Sequence, residues 1–234
     1  MRRTFIQQKT GRVATPGPLA GFVSTRDRTA LLLYFLALTK ASQEPWDVSL
    51  YSAVWARALG LSDPRGSSAR GRVSKAWGRL VDRQLVTRAR RSRMAVFTLL
   101  CEDGSGDPYT RPRAAFVKVP HELWTKGPEP QATGTPARWF EVLTLPELTF
   151  LVIGLTNLDF FPLPVERGPD YYGISADTLL RGSRGLRHRG LLTVRKQRIT
   201  APLTREGISW ENRYTLNPPF GPRGRISTAT AAYQ

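Results

Sequence analysis

The spacing of apolar residues along the chain switches between a helical period and a strand-like period, in the same order twice. In the first half, Leu31, Phe35 and Leu38 lie on the apolar stripe of a helix whose start Ser24 can cap. The elements predicted after it are a short strand at 45–49, a helix at 50–59 with Tyr51 and Val54 on its buried side, a helix at 69–84, and a hairpin at 85–100.

The second half begins with a clear helix signal, because Thr144 and Glu147 fit a capping box ahead of an apolar stripe. A helix is also predicted at 165–172, but Pro169 interrupts it, since proline lacks the amide hydrogen and clashes with the preceding turn. The other predicted elements are a short strand at 160–163, a helix that Ser175 caps and Gly190 ends, a strand at 191–198, a long wing at about 199–211 and a final strand at 213–216.

An internal repeat connects the two halves. Residues 59–62 (LGLS) match residues 172–175 (YGIS), and residues 80–86 (LVDRQLV) match residues 186–192 (LRHRGLL) in the spacing of their leucines. Helix, strand, helix, helix and hairpin is the order of a winged helix-turn-helix. The predicted fold class is therefore mainly α with small β-hairpins (α+β), arranged as two tandem winged helix-turn-helix domains.

The local amino-acid composition indicates the boundaries of these domains. Residues 102–115 are rich in glycine, proline and charge, which is typical of a linker, and residues 1–23 form a basic arm or an early strand. The chain thus divides into an N-terminal arm at 1–23, a first winged-helix domain at 24–101, a linker at 102–115, a second winged-helix domain at 116–217 and a C-terminal tail at 218–234.

Net charge indicates the kind of partner. Lys and Arg number 35 against 18 Asp and Glu, a formal charge of +17, and a field of that sign favours polyanions. The longest apolar run, at 30–38, is about half as long as a membrane span, and no secretory signal is visible. With Cys101 as its single cysteine, the protein is expected in the cytoplasm, associated with the nucleoid or a plasmid.

Basic residues concentrate in the last helix and the hairpin of each predicted domain. Ten Lys or Arg and one acid lie between positions 65 and 93, and seven Lys or Arg and no acid lie between 181 and 198. A solvated surface helix usually mixes the signs of its charges, so these stretches favour contact with nucleic acid. The predicted DNA contacts are Arg70, Ser74, Lys75, Arg79, Arg90, Arg91 and Arg93 in the first domain and Ser175, Asp177, Thr178, Arg181, Arg184, Arg187, Arg195, Lys196 and Arg198 in the second.

The residue types that enzymes and metal sites need are scarce. There is no nucleotide-binding loop of the form GxxxxGK[ST], and His121 and His188, the only histidines, lie far apart in the chain. Neither a zinc site nor a paired-histidine site can be assembled from two distant histidines and one cysteine. We therefore expect a protein that is not an enzyme and that needs no cofactor and no metal.

Three strings carry a resemblance to a known family: FVKVPHELW at 116–124, LTLPELTFLVI at 143–153 and YYGISADTLLRGSRGLRHRGLL at 171–192. In these the chain resembles the tandem winged-helix replication initiator proteins of actinobacterial plasmids and mobile elements. The resemblance implies that Ser175, Asp177, Thr178, Arg181 and Arg184 touch DNA. Pro169, inside the supporting helix, and the acidic Asp177 depart from the family pattern.

The resemblance implies specific binding of double-stranded DNA at a replication origin, or in segregation. It also implies further copies of the chain on repeated sites and host replication proteins as partners. Winged-helix transcriptional repressors share the same motif, so repression is the alternative function. Binding of RNA or non-specific binding of nucleic acid is the third, and it is less favoured because the tryptophans mostly lie at core spacing rather than on an exposed sheet.

Overall fold

The computed structural model describes residues 1–10, 13–128, 137–203 and 206–221, which form an α+β fold with three small antiparallel sheets among them. The helices are α1 (Leu19–Ser24), α2 (Arg28–Lys40), α3 (Ser52–Ala58), α4 (Ser67–Asp82), α5 (Glu122–Thr125), α6 (Trp139–Val142), α7 (Leu145–Leu155), α8 (Gly168–Tyr172) and α9 (Ala176–His188). The strands are β1 (Gln7–Thr10), β2 (Val13–Pro16), β3 (Asp47–Val48), β4 (Val86–Arg91), β5 (Met94–Leu99), β6 (Phe161–Pro162), β7 (Leu192–Thr200) and β8 (Ile208–Leu216). Two short 3₁₀ turns are Arg3–Phe5 and Val165–Arg167.

The first unit, residues 28–99, runs α2, β3, α3, α4, β4 and β5, and its sheet has the order β3-β5-β4. Ser24 was expected to cap the first helix, but it ends α1 instead. Asp27 caps α2, because its Oδ1 accepts the amide hydrogen of Ala30 at 3.2 Å. The predicted burial of Tyr51 and Val54 is wrong: their side chains are 69% and 37% exposed. Helix α3 is short, so Trp55, Ala56 and Leu59 suffice to cover its inner face.

The second unit, residues 145–216, runs α7, β6, α8, α9, β7 and β8, and its sheet has the corresponding order β6-β8-β7. The Thr144–Glu147 capping box is confirmed, and so are the Ser175 cap and the interruption of the helix before Tyr172, where a 3₁₀ turn precedes α8. The predicted wing at 199–211 is too long, because β7 continues to Thr200 and β8 starts at Ile208. The pairing of β7 with β8 extends into the predicted wing, since Ile199 pairs with Ser209 and Thr200 pairs with Ile208.

The internal repeat is visible in the backbone. Gly60 and Gly173 both have φ +64°, a left-handed conformation that glycine adopts without steric strain, and each ends its short helix ahead of the next element. After the longer helices, Gln84 (φ 55°) and Gly190 (φ 69°) also share this conformation. The matched segments of sequence thus form matched turns in the two units.

The two units touch each other through the residues between them and before them. Arg28, at the start of α2, donates to the carbonyl oxygen of Leu143 at 3.0 Å and to that of Phe140, and burial lowers the pKa of its guanidinium. Helix α1 packs against α7, and strand β2 packs against α8. The buried apolar residues of both units belong to one continuous core cluster.

The N-terminal segment contributes to this core. Of the two alternatives for 1–23, an arm or an early strand, residues 7–10 and 13–16 form paired strands, and Phe5 and Ile6 are buried. Arg12 lies outside the described residues. Residues 102–115 are also anchored: Glu102 is fully buried and pairs with Arg2. Arg2 of the predicted arm and Glu102 of the predicted linker are therefore partners of one another.

Candidate nucleic-acid interface

Helix α9 separates its side chains into a buried face and a basic exposed face. Leu179, Gly182, Ser183 and Leu186 are buried, as the sequence predicted for Leu179, Ser183 and Leu186. The opposite face is exposed and carries Asp177, Arg181, Arg184, Arg187 and His188. Arg184 lies between the other two arginines of this face, because the 100° step of a helix places Arg181 and Arg187 about 60° to either side of it. It offers a planar guanidinium with five donors.

The start of α9 is built by short polar side chains. Ser175 caps the helix, since its Oγ accepts the amide hydrogen of Thr178 at 3.2 Å and donates to the Thr178 Oγ1 at 2.9 Å. Thr178 is only 9% exposed and its hydroxyl is used in the cap. Burial at the helix start therefore directs the side chain of Thr178, a predicted DNA contact, into the protein.

The acid on this face has a partner of its own. Asp177 accepts from the Arg181 Nε at 3.0 Å, one helical turn later, and both side chains are exposed. An exposed pair of this kind contributes little to stability, roughly 0.3–0.5 kcal/mol. Its effect on the surface is to offset the charge of Arg181 and to leave Arg184 and Arg187 as arginines of α9 without a carboxylate among the described residues.

Helix α9 is held tightly against α7. A Cβ atom added to Gly182 would overlap the carbonyl oxygen of Pro146, and one added to Gly185 would overlap the Glu147 carboxylate, so the two helices approach too closely for any side chain there. Arg189, just after α9, donates its Nε hydrogen to Glu147 Oε1 at 2.8 Å. Burial raises the pKa of Glu147, but hydrogen bonds from Thr144 and Arg189 outweigh burial, so its pKa lies below the usual value.

The hairpin after α9 extends the basic surface. Arg195, Lys196 and Arg198, which are predicted DNA contacts, are exposed along β7. Opposite them on β8, Lys196 faces Asn212 and Arg198 faces Trp210, whose ring is 63% exposed. The described residues of this hairpin thus present cations and one exposed aromatic ring.

Helix α4 occupies the corresponding place in the first unit. Its predicted contacts Arg70, Ser74 and Lys75 are exposed. Gly71 and Gly78 lie on the same side of the helix, and nothing comes within 4 Å of a Cβ atom added to either. The centre of this face is therefore flat, with longer side chains at its edges.

Arg79, another predicted DNA contact on α4, has an acidic partner, although its side chain is 40% exposed. Its Nε and Nη2 donate to the two carboxylate oxygens of Asp27 at 2.5 and 2.8 Å, and Arg83 donates to the same carboxylate at 3.0 Å. Burial raises the pKa of Asp27, but these bonds and the amide of Ala30 outweigh it and lower that pKa. The pair joins the start of α2 to the end of α4, so Arg79 has a structural role.

The first hairpin carries exposed arginines at its tip. Arg90 and Arg91 end β4, and Ser92 and Arg93 make the two-residue turn to β5, since Arg91 pairs with Met94. All three arginines are exposed, and Arg91 has a distant partner in Asp47 at 3.6 Å. The tip is therefore a cluster of cations that extends from the body of the unit.

Two exposed arginines of this surface, Arg72 on α4 and Arg88 on β4, were missed by the sequence analysis. The sequence does indicate Arg72 as a candidate contact, because it lies inside the same basic stretch as Arg70 and Lys75. Arg88 lies within a strand whose other end is buried, and only the structure shows that its guanidinium is 5.9 Å from the centre of the Phe97 ring.

The exposed arginines and lysines of this surface can bind anions. The described residues contain no group of three or more side chains that could hold a metal ion. No helix in the described part of the chain is long and apolar enough to cross a membrane. Comparison with protein-family models, with curated proteins and with solved structures finds no match to this chain.

Proposed function

We propose that this protein is a sequence-specific double-stranded DNA-binding protein that uses two tandem winged helices, with α4 and α9 as recognition helices. The observation that carries the proposal is the repeated order of elements in residues 28–99 and 145–216. Each unit has its long exposed helix third, its hairpin last and the same strand order in its sheet. In both units that helix and hairpin hold most of the unit's exposed arginines that have no acidic partner among the described residues.

The physical basis is the match between these surfaces and duplex DNA. An α-helix fits the major groove, where an arginine can donate two hydrogen bonds to guanine O6 and N7. Arg184 has the exposure and the central position for such a contact, and Arg187 and Arg181 lie beside it. The hairpin arginines Arg90 and Arg93 suit phosphate contacts, which add affinity with little sequence information.

The biological process follows from the asymmetry of the two units. Helix α4 presents glycine and serine at its centre, whereas α9 presents arginine, and the second hairpin is longer than the first. One chain would therefore recognise an asymmetric site, which can be arranged as direct repeats at an origin. This asymmetry supports origin binding in plasmid or mobile-element replication. A winged-helix transcriptional repressor is the alternative function.

Selection of bound sequences from a random duplex library tests the proposal, and Arg184 provides the matched variants. Wild-type protein should enrich a defined sequence. Arg184→Lys keeps the positive charge but loses the planar fork, so it should lose discrimination at one base pair, by about 1–3 kcal/mol, and keep its affinity for random duplex. Enrichment of no sequence by the wild type, or equal enrichment by wild type and Arg184→Ala, would contradict base recognition through α9.

A further inference from the structure

A cleft of about 110 Å³ opens on the first unit between α3, α4 and the β4–β5 hairpin. Its rim includes Tyr51, just before α3, with Ser74 on α4 and Arg88 and Arg93 on the hairpin. This volume is well below the roughly 300–1,000 Å³ of a typical small-molecule pocket, so the cleft has room for a single flat group. It adjoins the surface that we assign to duplex DNA, because it shares Ser74 and Arg93 with that surface.

Three aromatic side chains form the floor of the cleft. Trp77 stacks on Phe97 with ring centres 3.8 Å apart, and Trp55 meets Trp77 edge-on at 5.3 Å. All three are buried, whereas the Tyr51 ring at the rim is 69% exposed. Of the four rings, Tyr51 therefore offers the accessible aromatic surface.

Positive charge lines one side of the cleft. Arg88 and Arg93 are exposed, and neither forms an ion pair with a carboxylate in the described part of the chain. The Arg88 guanidinium also lies 5.9 Å from the Phe97 ring centre, so the cation and the aromatic floor belong to one site. A ligand that fits both features carries a flat ring and a negative group next to it.

The second unit carries other residues at the positions that match the aromatic floor. With Gly60 aligned on Gly173 and Leu80 on Leu186, Gly168 replaces Trp55 and Ser183 replaces Trp77. In the sheet, Val194 faces Tyr214 where Arg88 faces Phe97. Leu179 contacts Gly168 and fills that space. The fold therefore does not require Trp55 and Trp77, because the second unit forms the same elements without tryptophan at those positions.

We infer that the cleft binds one unpaired nucleotide of DNA, with its base against Tyr51 and the aromatic floor and its phosphate against Arg88 and Arg93. This inference rests on the proposed function, since it takes the neighbouring surface to bind DNA. Stacking on aromatic side chains is the main way in which proteins hold unpaired bases, and arginines track the phosphates beside them. A peptide segment is disfavoured by the small volume, and an uncharged ring would leave the two arginines without a partner.

Binding of labelled DNA to the full chain tests the inference. The probes are a fully paired duplex, the same duplex with one extra unpaired thymidine, and free thymidine monophosphate. Wild-type protein should prefer the duplex with the unpaired base. Tyr51→Ala should weaken binding to that probe by about fivefold or more and leave binding to the paired duplex unchanged, since stacking of one base contributes roughly 5- to 150-fold. Tyr51→Phe keeps the ring and should keep the preference.

The controls distinguish a failure of this inference from a failure of the proposed function. Phe160→Ala removes an exposed aromatic ring outside the cleft and the basic surface, and it should retain the preference for the unpaired base. Equal binding of the two duplexes by the wild type, or a preference that persists in Tyr51→Ala, would overturn the inference and leave the proposed function intact. Binding of neither duplex would overturn both. Thymidine monophosphate bound as tightly as the unpaired probe would overturn the assignment to DNA and assign the cleft to a free nucleotide.

Discussion

Arg189 donates its Nε hydrogen to Glu147 Oε1 at 2.8 Å and thereby joins the end of α9 to the start of α7. The first unit repeats this contact, since Arg83 follows α4 and donates to Asp27, the cap of α2, at 3.0 Å. Arg83 and Arg189 are matching residues of the internal repeat, whereas the two acids lie at different positions of the helix start. In both units an ion pair thus fixes the helix that we propose to enter the major groove.

Removing Arg189 should destabilise the protein, because it leaves the buried carboxylate of Glu147 without its cation. We expect Arg189→Met to lower the free energy of unfolding by about 1–3 kcal/mol, the usual effect of losing one partner of a buried polar contact. Arg187→Met is the matched control, since Arg187 is exposed and should change stability by no more than about 0.5 kcal/mol. Urea unfolding of the two variants measures the difference, and equal stability would contradict the role of the pair.

Stability should fall in acid through the same carboxylates. Asp27 and Glu147 both have a pKa in the folded state below their usual values of 3.8 and 4.5, so the unfolded chain binds more protons as the pH falls. Their contribution is complete above those values and is lost as the pH falls through the lower folded-state pKa. In urea unfolding from neutral to acid pH, the double variant Asp27→Asn, Glu147→Gln should lose less stability than wild type; an equal loss would assign the acid sensitivity to other groups.

The glycines of the two exposed helices should respond in opposite ways to alanine. Gly182→Ala would force a Cβ into the carbonyl oxygen of Pro146 and should destabilise the protein by about 1–3 kcal/mol. Gly78→Ala meets nothing within 4 Å and should stabilise it by up to about 1 kcal/mol, because alanine loses less conformational freedom in a helix. Thermal unfolding measures both changes, and a Gly182→Ala variant as stable as wild type would contradict the close contact of α7 and α9.

The first hairpin should bind phosphates without base specificity. Replacing Arg90, Arg91 and Arg93 together by alanine should weaken binding to selected and random duplex alike. The slope of log affinity against log salt should become shallower by roughly 2–3 units if each arginine neutralises one phosphate. Arg91 is the weakest contributor expected, because Asp47 lies 3.6 Å from it. An unchanged slope in a salt titration would place the hairpin away from DNA.

The symmetry of the bound site should distinguish replication from repression. A homodimeric repressor with one recognition helix per subunit imposes a palindrome, whereas one chain with two different recognition helices covers an asymmetric site, its halves about one helical turn apart. We expect footprints over several direct repeats near the coding region, with one chain on each repeat. A single inverted repeat over a promoter, bound by two chains, would exclude the initiator and support the repressor.

Local sequence signals determined much of the α+β architecture. The apolar period of α2, the Thr144–Glu147 capping box, the Ser175 cap and the left-handed turn at Gly190 each depend on residues a few positions apart. Short-range hydrogen bonds and steric limits decide such features, so the chain specifies them before it folds. The exposed face of α9 was predictable for the same reason, because a helix separates its two faces by a fixed period.

Only the tertiary structure decided which basic residues remain available to bind an anionic partner. Arg79 and Arg189 resemble their exposed neighbours in sequence, yet each pairs with an acid 52 and 42 residues away. Gly182 and Gly185 reveal their role only when α7 lies against them, and the aromatic floor beneath Tyr51 forms from α3, α4 and β5 together. Contacts between distant segments depend on how the helices and strands pack. The local spacing of apolar and polar residues does not determine which side chains meet across that packing.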